Sequence, residues 1–180
     1  MSKVEIRHSR ESDIEQIRLI YAEPSNYAAT LQLPFPSPDV WEKKLGALSE
    51  GTFSLVACRG DEVLGQLGLS IYSSLRRRHA ANIGMGVKST ARRKGVGSAL
   101  VRAAIELAEK WSAVRRIELE VYTDNKAAIG LYKKLGFVIE GTLRQYAFRD
   151  GEFVDVYVMA RVAAQPVVPA DASALRRPRR

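Results

Sequence analysis

The sequence predicts a mixed α/β domain of about seven strands with helices on both faces. Three observations predict it. Apolar residues alternate at period two in several short runs and recur at helical spacing in longer ones. Two dipeptides, Gly60-Asp61 and Asp150-Gly151, each sit between strand-like runs as tight hairpin signals. In chain order the elements read β-α-α-β-β-β-α-β-α-β-β.

Val4, Ile6 and His8 alternate with Glu5 and Arg7 as a short half-buried strand. Ser12 or Asp13 then serves as cap for a helix carrying Ile14, Ile17, Leu19 and Ile20 up to Pro24. Residues 24–38 hold four prolines among Tyr27, Leu31, Leu33 and Phe35, an apolar loop that reads as lining or covering a site. Ser37-Pro38-Asp39 opens a helix with Val40, Trp41, Lys44, Leu45 and Leu48 at helical spacing and Gly51 near its end. Phe53–Arg59 and Glu62–Tyr72 flank the Gly60-Asp61 hairpin. Ala80–Val87 is the next strand, where Gly84-Met85-Gly86 predicts a bulge or a close approach by another group. Gly95 opens a long helix with Val96, Leu100, Val101, Ala104, Ile105, Ala108 and Trp111 on one face. Ile117, Leu119 and Val121 alternate with Glu118, Glu120 and Tyr122. Ala127–Leu135 is helical, stopped by Gly136, and Gln145–Phe148 pairs with Glu152–Ala160 around a type I′ turn.

Composition bounds what this domain does. The chain has 180 residues, 46% apolar and 27% charged, with 13 Gly and 7 Pro, the balance of one globular core. Charges interrupt every apolar stretch well short of the ~18 residues a membrane span needs. Glu5 and Arg7 stand where a secretory signal would require an unbroken apolar region. A single cysteine, Cys58, excludes an intrachain disulfide, and two histidines, His8 and His79, give no zinc pattern. The expectation is a cytoplasmic chain without membrane or metal. The net charge is +8, of which residues 163–180 carry +3. That final stretch, with three prolines and Arg-Arg-Pro-Arg-Arg, has no periodic apolar face and reads as a disordered basic tail behind a domain of residues 1–162. A basic surface calls for an anionic partner.

The stretch that carries chemistry is Val87-Lys88-Ser89-Thr90-Ala91-Arg92-Arg93-Lys94-Gly95-Val96-Gly97-Ser98. A strand ends, a basic loop follows, and a glycine-containing turn opens a helix. The first N–H groups of a helix lack intrahelical partners and carry the positive end of its dipole. Gly95 and Gly97 let a phosphate approach the backbone, and Arg92, Arg93 and Lys94 add formal charge, so the turn reads as a pyrophosphate cradle. It is not a Walker loop, because the lysine precedes the glycines. It is not a dinucleotide fingerprint either, because position 100 is Leu.

Arg92-x-x-Gly95-x-Gly97 resembles the Gln/Arg-x-x-Gly-x-Gly/Ala signature of the GNAT superfamily of acetyl-CoA-dependent N-acetyltransferases. A second segment, Asp124-Asn125-Lys126-Ala127 through Tyr132 to Gly136-Phe137, is similar to that superfamily's Asn-x-x-Ala-x-x-x-Tyr-x-x-x-Gly-Phe stretch. The resemblance covers about residues 3–162. It implies the GNAT fold, a mixed, mostly antiparallel sheet of about seven strands with about four helices on both faces. Within the superfamily the chain is most similar to bacterial L-amino-acid N-acetyltransferases, through Tyr27–Pro34, Arg76–His79, Ile139–Thr142 and Asp150–Asp155.

The resemblance implies direct attack of a neutral amine on the acetyl thioester, without a covalent enzyme intermediate. It places Arg92, Arg93, Lys94, Gly95, Val96, Gly97 and Ser98 on the coenzyme pyrophosphate. Met85, Gly86 and Val87 run beside the pantetheine arm, a bulge there turning one N–H toward the thioester oxygen. Asn125 contacts the same arm, caps the next helix, or does both. Tyr132 is the general acid at the sulfur, or a core tyrosine. Glu120 is the candidate base, with Glu118 on the same face of its strand. Tyr27, Leu31 and Phe35, with Tyr72 and Tyr146, are read as walls for a hydrophobic acceptor. Arg76–Arg78 either capture a carboxylate or form a solvated loop, Cys58 reads as a strand filler, and His79 stays unassigned.

The leading expectation is therefore acetylation of a small-molecule amine, a free L-amino acid, with acetyl-CoA as cosubstrate and no metal. Protein N-termini and antibiotic or herbicide amines are alternative acceptors, and a homodimer stays open. A nucleic-acid-binding module using the basic tail is the reading from another class, but no recognition-helix, RNA-binding or zinc-finger pattern supports it. A coenzyme-binding sensor without catalysis is the third, and Tyr132 argues against it.

Overall fold

The structure, a computed structural model, describes residues 4–164. From residue 165 onward the expected basic tail lies outside the described residues. The strands are β1 (Glu5–His8), β2 (Thr52–Arg59), β3 (Glu62–Ile71), β4 (Ala80–Val87), β5 (Arg116–Tyr122), β6 (Val138–Arg149) and β7 (Glu152–Val162). The helices are α1 (Ile14–Ala22), α2 (Pro24–Tyr27), α3 (Pro38–Gly46), α4 (Val96–Glu106) and α5 (Lys126–Lys134). The strands form one sheet in the order β1-β2-β3-β4-β5-β7-β6, antiparallel throughout except between β4 and β5.

Two apolar layers hold helices to this sheet. Ile14, Ile17, Ile20 and Tyr21 of α1 and Trp41 of α3 pack on Val56, Cys58 and Val63. On the other face Val96, Leu100, Val101 and Ala104 of α4 and Ile129 and Tyr132 of α5 cover Leu67, Leu69, Ile83, Ile117 and Leu119. Removing one such side chain, as in Leu100→Ala, costs roughly 2–5 kcal/mol by lost burial and cavity formation.

The structure corrects several sequence expectations. Asp13 precedes α1 but does not cap it. Its carboxylate instead accepts two hydrogen bonds from Arg7, at 2.6 and 3.0 Å, and one from the Arg10 amide at 2.7 Å. The 24–38 loop opens with the helical turn α2, started by Pro24 at its first position, where a missing N–H costs nothing. Helix α3 stops at Gly46, so Leu48 lies beyond it and is exposed. Trp111 leaves the apolar face of α4 and is 79% exposed, because residues Leu107–Trp111 widen into a π-helical turn that shifts the phase of every side chain after it. Strand β6 begins at Val138 rather than Gln145. Register breaks after Ile139 and Leu143 disrupt its alternation, which hides its first half in the sequence. At the far turn the expected type I′ geometry is present, with φ +50° at Asp150 and +84° at Gly151.

Hydrogen bonding from Arg7 holds the Asp13 carboxyl below the usual carboxylate range, against its burial. A carboxylate depressed in the folded state contributes stability above its ordinary range and loses it as pH falls through the depressed value. Asp13→Asn is therefore expected to destabilise by roughly 1.5–3 kcal/mol at neutral pH. Thermal melts of both proteins from pH 7 to pH 2 check this, with the gap in Tm closing as the pH falls.

Candidate active site

Gly84 and Gly86 mark the place where the sheet opens, but not by a bulge. Register against β3 runs unbroken from Ile71↔Ala81 to Gly65↔Val87. The departure is on the opposite edge, where pairing between β4 and β5 ends at Asn82↔Glu118. Different partners hold the two strand ends apart. Asn26 Nδ2 donates to the Val87 carbonyl at 3.1 Å, whereas the Tyr122 hydroxyl donates to the Thr30 carbonyl at 3.3 Å. Gly86 permits a close approach: a Cβ there would lie 3.0 Å from the Tyr21 ring, so only glycine lets α1 sit this near the strand.

The open edge of β4 has a defined polarity. Bonds from the Tyr72 amide to the Ala80 carbonyl and from the Lys88 amide to the Leu64 carbonyl show that even-numbered residues pair with β3. By alternation, the N–H and C=O groups of Ile83, Met85 and Val87 face the gap. An extended amide-containing chain can pair there as an added strand.

At the upper end of the gap stands the basic turn. Gly95 adopts φ +83° and Arg93 φ +59°, and the first intrahelical bond of α4 runs from the Ala99 amide to the Gly95 carbonyl. The amides of Val96, Gly97 and Ser98 are thus left to an external acceptor. Arg92 is fixed rather than free, its Nε donating to the Val87 carbonyl at 3.2 Å and its Nη2 to Asn26 Oδ1 at 2.9 Å. Lys94 folds back on the Thr90 carbonyl. Asn26 and Glu23, which accepts from the Ser89 amide at 2.9 Å, tie this loop to α1 and α2. Sequence reading missed both residues. Asn26 lies 61 and 66 positions from its partners, and only its burial in a Pro-started turn distinguishes it.

Asn125 caps α5, its Oδ1 accepting from the Ala128 amide at 3.1 Å, which leaves Nδ2 as a donor. Seven residues on, Tyr132 is 6% exposed and packs tilted against Phe137 at 5.7 Å. Burial pushes its phenol up to about 12, and among the described residues its hydroxyl has no hydrogen-bond partner. The Tyr21 phenol, against Gly86 and donating to Gln66 Oε1 at 2.8 Å, is raised mainly by burial.

The other face of the gap carries the carboxylates. Glu118 is committed. It accepts from Arg116, Tyr72 and Arg77 at 2.5–2.8 Å, and although burial pushes it up, these bonds together hold it below the usual range. Glu120 is exposed and accepts only from Asn82 Nδ2, at 3.2 Å, among the described residues. Tyr146 is half-buried, and burial first and the Glu120 charge second raise its phenol. Tyr72 lies at the paired end of the strands, its hydroxyl on Glu118 and its ring under Arg77. Tyr27 is half-buried at the end of α2 and Leu31 is exposed. Phe35 walls nothing in this chain. With φ +57° between Pro34 and Pro36 it turns outward and is 97% exposed.

Of the other sequence candidates, Arg77 is paired, and Arg76, Arg78 and His79 are exposed. Cys58 is buried with its thiol raised by desolvation, which makes it an inert filler. No group of acidic, His or Cys residues among the described residues could hold a metal ion, and no helix among them is long and apolar enough to cross a membrane.

Residues 14–137 match the acetyltransferase (GNAT) family. The chain is 48% identical over 162 residues to the L-amino acid N-acetyltransferase AaaT of Escherichia coli (strain K12), spanning 90% of this chain and 99% of that one. Among solved structures it is similar to the acetyltransferase of GNAT family from Streptococcus pneumoniae. That match has a TM-score of 0.77 and 27% identity, over 90% of this chain and all of that one. The fold is shared with yncA from Salmonella typhimurium, solved with its cofactor acetyl-CoA, at a TM-score of 0.77 and 21% identity over 93% and 98% of the two chains.

Proposed function

The chain belongs to the acetyltransferase (GNAT) family and is an acetyl-CoA-dependent N-acetyltransferase, and we propose that its acceptor is the α-amino group of a free L-amino acid. The observation that carries the acceptor is the 48% identity extending over nearly the whole of both chains.

The residues present fit the coenzyme. The unpaired amides of Val96–Ser98 with Arg92 and Arg93 suit a pyrophosphate, and the open edge at Ile83 and Met85 with Asn125 Nδ2 suits an amide-bearing arm, while the Val87 carbonyl is already held by Asn26 and Arg92. Acetyl-CoA supplies an acyl carbon already activated as a thioester. The chain supplies the rest. An N–H on the open edge of β4 polarises the carbonyl oxygen as negative charge develops there. Tyr132 reaches the gap from the α5 face and Glu120 from the opposite face. A base on one side and a donor on the other can therefore act in turn, as the amine adds to the carbonyl carbon and the thiolate then leaves. Glu120, joined to Asn82, takes the ammonium proton directly or through water, and the second proton, which the nitrogen sheds once it is bonded to the acyl carbon, passes to the thiolate or to solvent. Tyr132 donates a hydrogen bond to the departing sulfur. At about 12 its phenol is a weaker acid than a thiol near 8.5, so it steadies the thiolate and recovers any proton it gives from solvent. We place the enzyme in the cytoplasm, acting on small amines rather than on nucleic acid.

Release of CoA measured with the twenty amino acids, a peptide panel and aminated antibiotics tests the acceptor. Turnover of one or more free amino acids above every peptide is expected. Turnover confined to peptides or antibiotics would replace this reading.

A further inference from the structure

Strand β6 ends on Arg149, whose guanidinium is engaged on three sides. Nη2 donates to Asp124 Oδ2 at 2.5 Å, Nη1 donates to the Ala28 carbonyl at 3.2 Å, and the group lies 4.8 Å above the centre of the Tyr122 ring. The hydrogen bond from Arg149 also holds the Asp124 carboxyl below its ordinary range, so the pair stays ionised. Tyr122 in turn donates to the Thr30 carbonyl. Three segments therefore meet on one side chain. They are the 28–30 backbone beside Tyr27, the end of β5, and Asp124, which precedes the Asn125 cap of α5.

The same 23–30 stretch is tied at its other end to the basic turn, through Asn26 to Arg92 and Glu23 to Ser89. It thus bridges the two elements that flank the gap. A half-exposed ion pair contributes little to global stability. This guanidinium, however, spends a hydrogen bond on the backbone of a loop 121 residues away, which an ion pair alone does not require.

We propose that Arg149 is a positioning residue for the acceptor: it pins the Ala28–Thr30 backbone to the β5–α5 corner and so sets the width of the acceptor side of the gap. It acts through that loop and touches neither substrate, and the inference rests on reading the segment from Tyr27 to Leu31 as an acceptor wall. Arg149→Met removes the ion pair, the loop bond and the cation–π contact, and Arg149→Lys keeps only the charge pair.

The test compares both variants with the unaltered full chain on whichever amine the latter turns over fastest. Arg149→Met is expected to raise the acceptor KM roughly 10- to 100-fold and to speed hydrogen exchange at the Ala28–Thr30 amides. The calorimetric Kd for acetyl-CoA should stay within about 2-fold, and Arg149→Lys should fall between the two. An unchanged acceptor KM despite faster exchange would overturn the proposal. So would a matched loss of acetyl-CoA affinity with a large drop in Tm, since that marks a structural role. Because the amine is chosen by turnover, failure of the amino-acid reading and failure of this clamp are seen separately.

Discussion

Tyr132→Phe is expected to lower kcat by roughly 10²-fold while the Kd for acetyl-CoA changes by less than about 3-fold. The ring packs against Phe137, and Phe preserves that contact. The deleted hydroxyl has no partner among the described residues, so its loss leaves no orphaned group and Tm should hold within about 2 °C. What disappears is the donor we propose for the departing sulfur. With its phenol at about 12, Tyr132 remains protonated throughout the working range, so the acidic limb of the pH–rate profile should survive the substitution. If Glu120→Gln then abolishes that limb, the base is Glu120. Weakened acetyl-CoA binding with kcat preserved would show that Tyr132 only packs.

Gly97→Glu should raise the Kd for acetyl-CoA by 100-fold or more, about 2.7 kcal/mol. A Cβ at this position would lie 3.4 Å from Met85 Cε and 3.5 Å from Leu131 Cδ1, in the slot between β4 and α5. A longer side chain must leave that slot and bring a carboxylate near the unpaired amides of the α4 N-terminus, where we propose that the pyrophosphate binds. The same carboxylate is favourable to the helix dipole by roughly 0.3–1 kcal/mol, so the fold should not weaken. Gly97→Ala makes only ordinary contacts and should cost less than 10-fold. Calorimetry on both variants separates charge from bulk. Unchanged affinity in Gly97→Glu, with a normal melt, would remove the turn from the coenzyme site.

The elements that sequence reading recovers are those whose signals are local. Ala80–Val87 and the Asp150-Gly151 turn follow from neighbouring residues and their backbone preferences, and the start of α4 follows from Gly95 and the apolar spacing behind it. Trp111 shows the limit. Its spacing from Ala108 fits a regular helix, and a π-helical turn of one extra residue sends it into solvent. The start of β6 was hidden for a similar reason, because each bulge resets the alternation that betrays a strand.

By itself the sequence determined the succession of the strands and of every helix but the short turn α2, the basic glycine turn at Arg92–Ser98 that opens α4, and the Asn125–Tyr132 spacing along one helix. All of these depend on residues within two helical turns of one another. Tertiary structure alone decided which carboxylate is free. Glu118 and Glu120 are equivalent in the strand pattern, but Arg116, Tyr72 and Arg77 converge on the first, and only Asn82 reaches the second. It also decided that the sheet opens by the splay of β5 from β4 rather than by a bulge, and that Asn26 and Arg149 brace the two sides of that opening. The physical reason is common to all three. Each depends on hydrogen bonds between groups that only the folded chain brings within 3.5 Å, and neither period nor propensity records which distant partner a polar side chain will find.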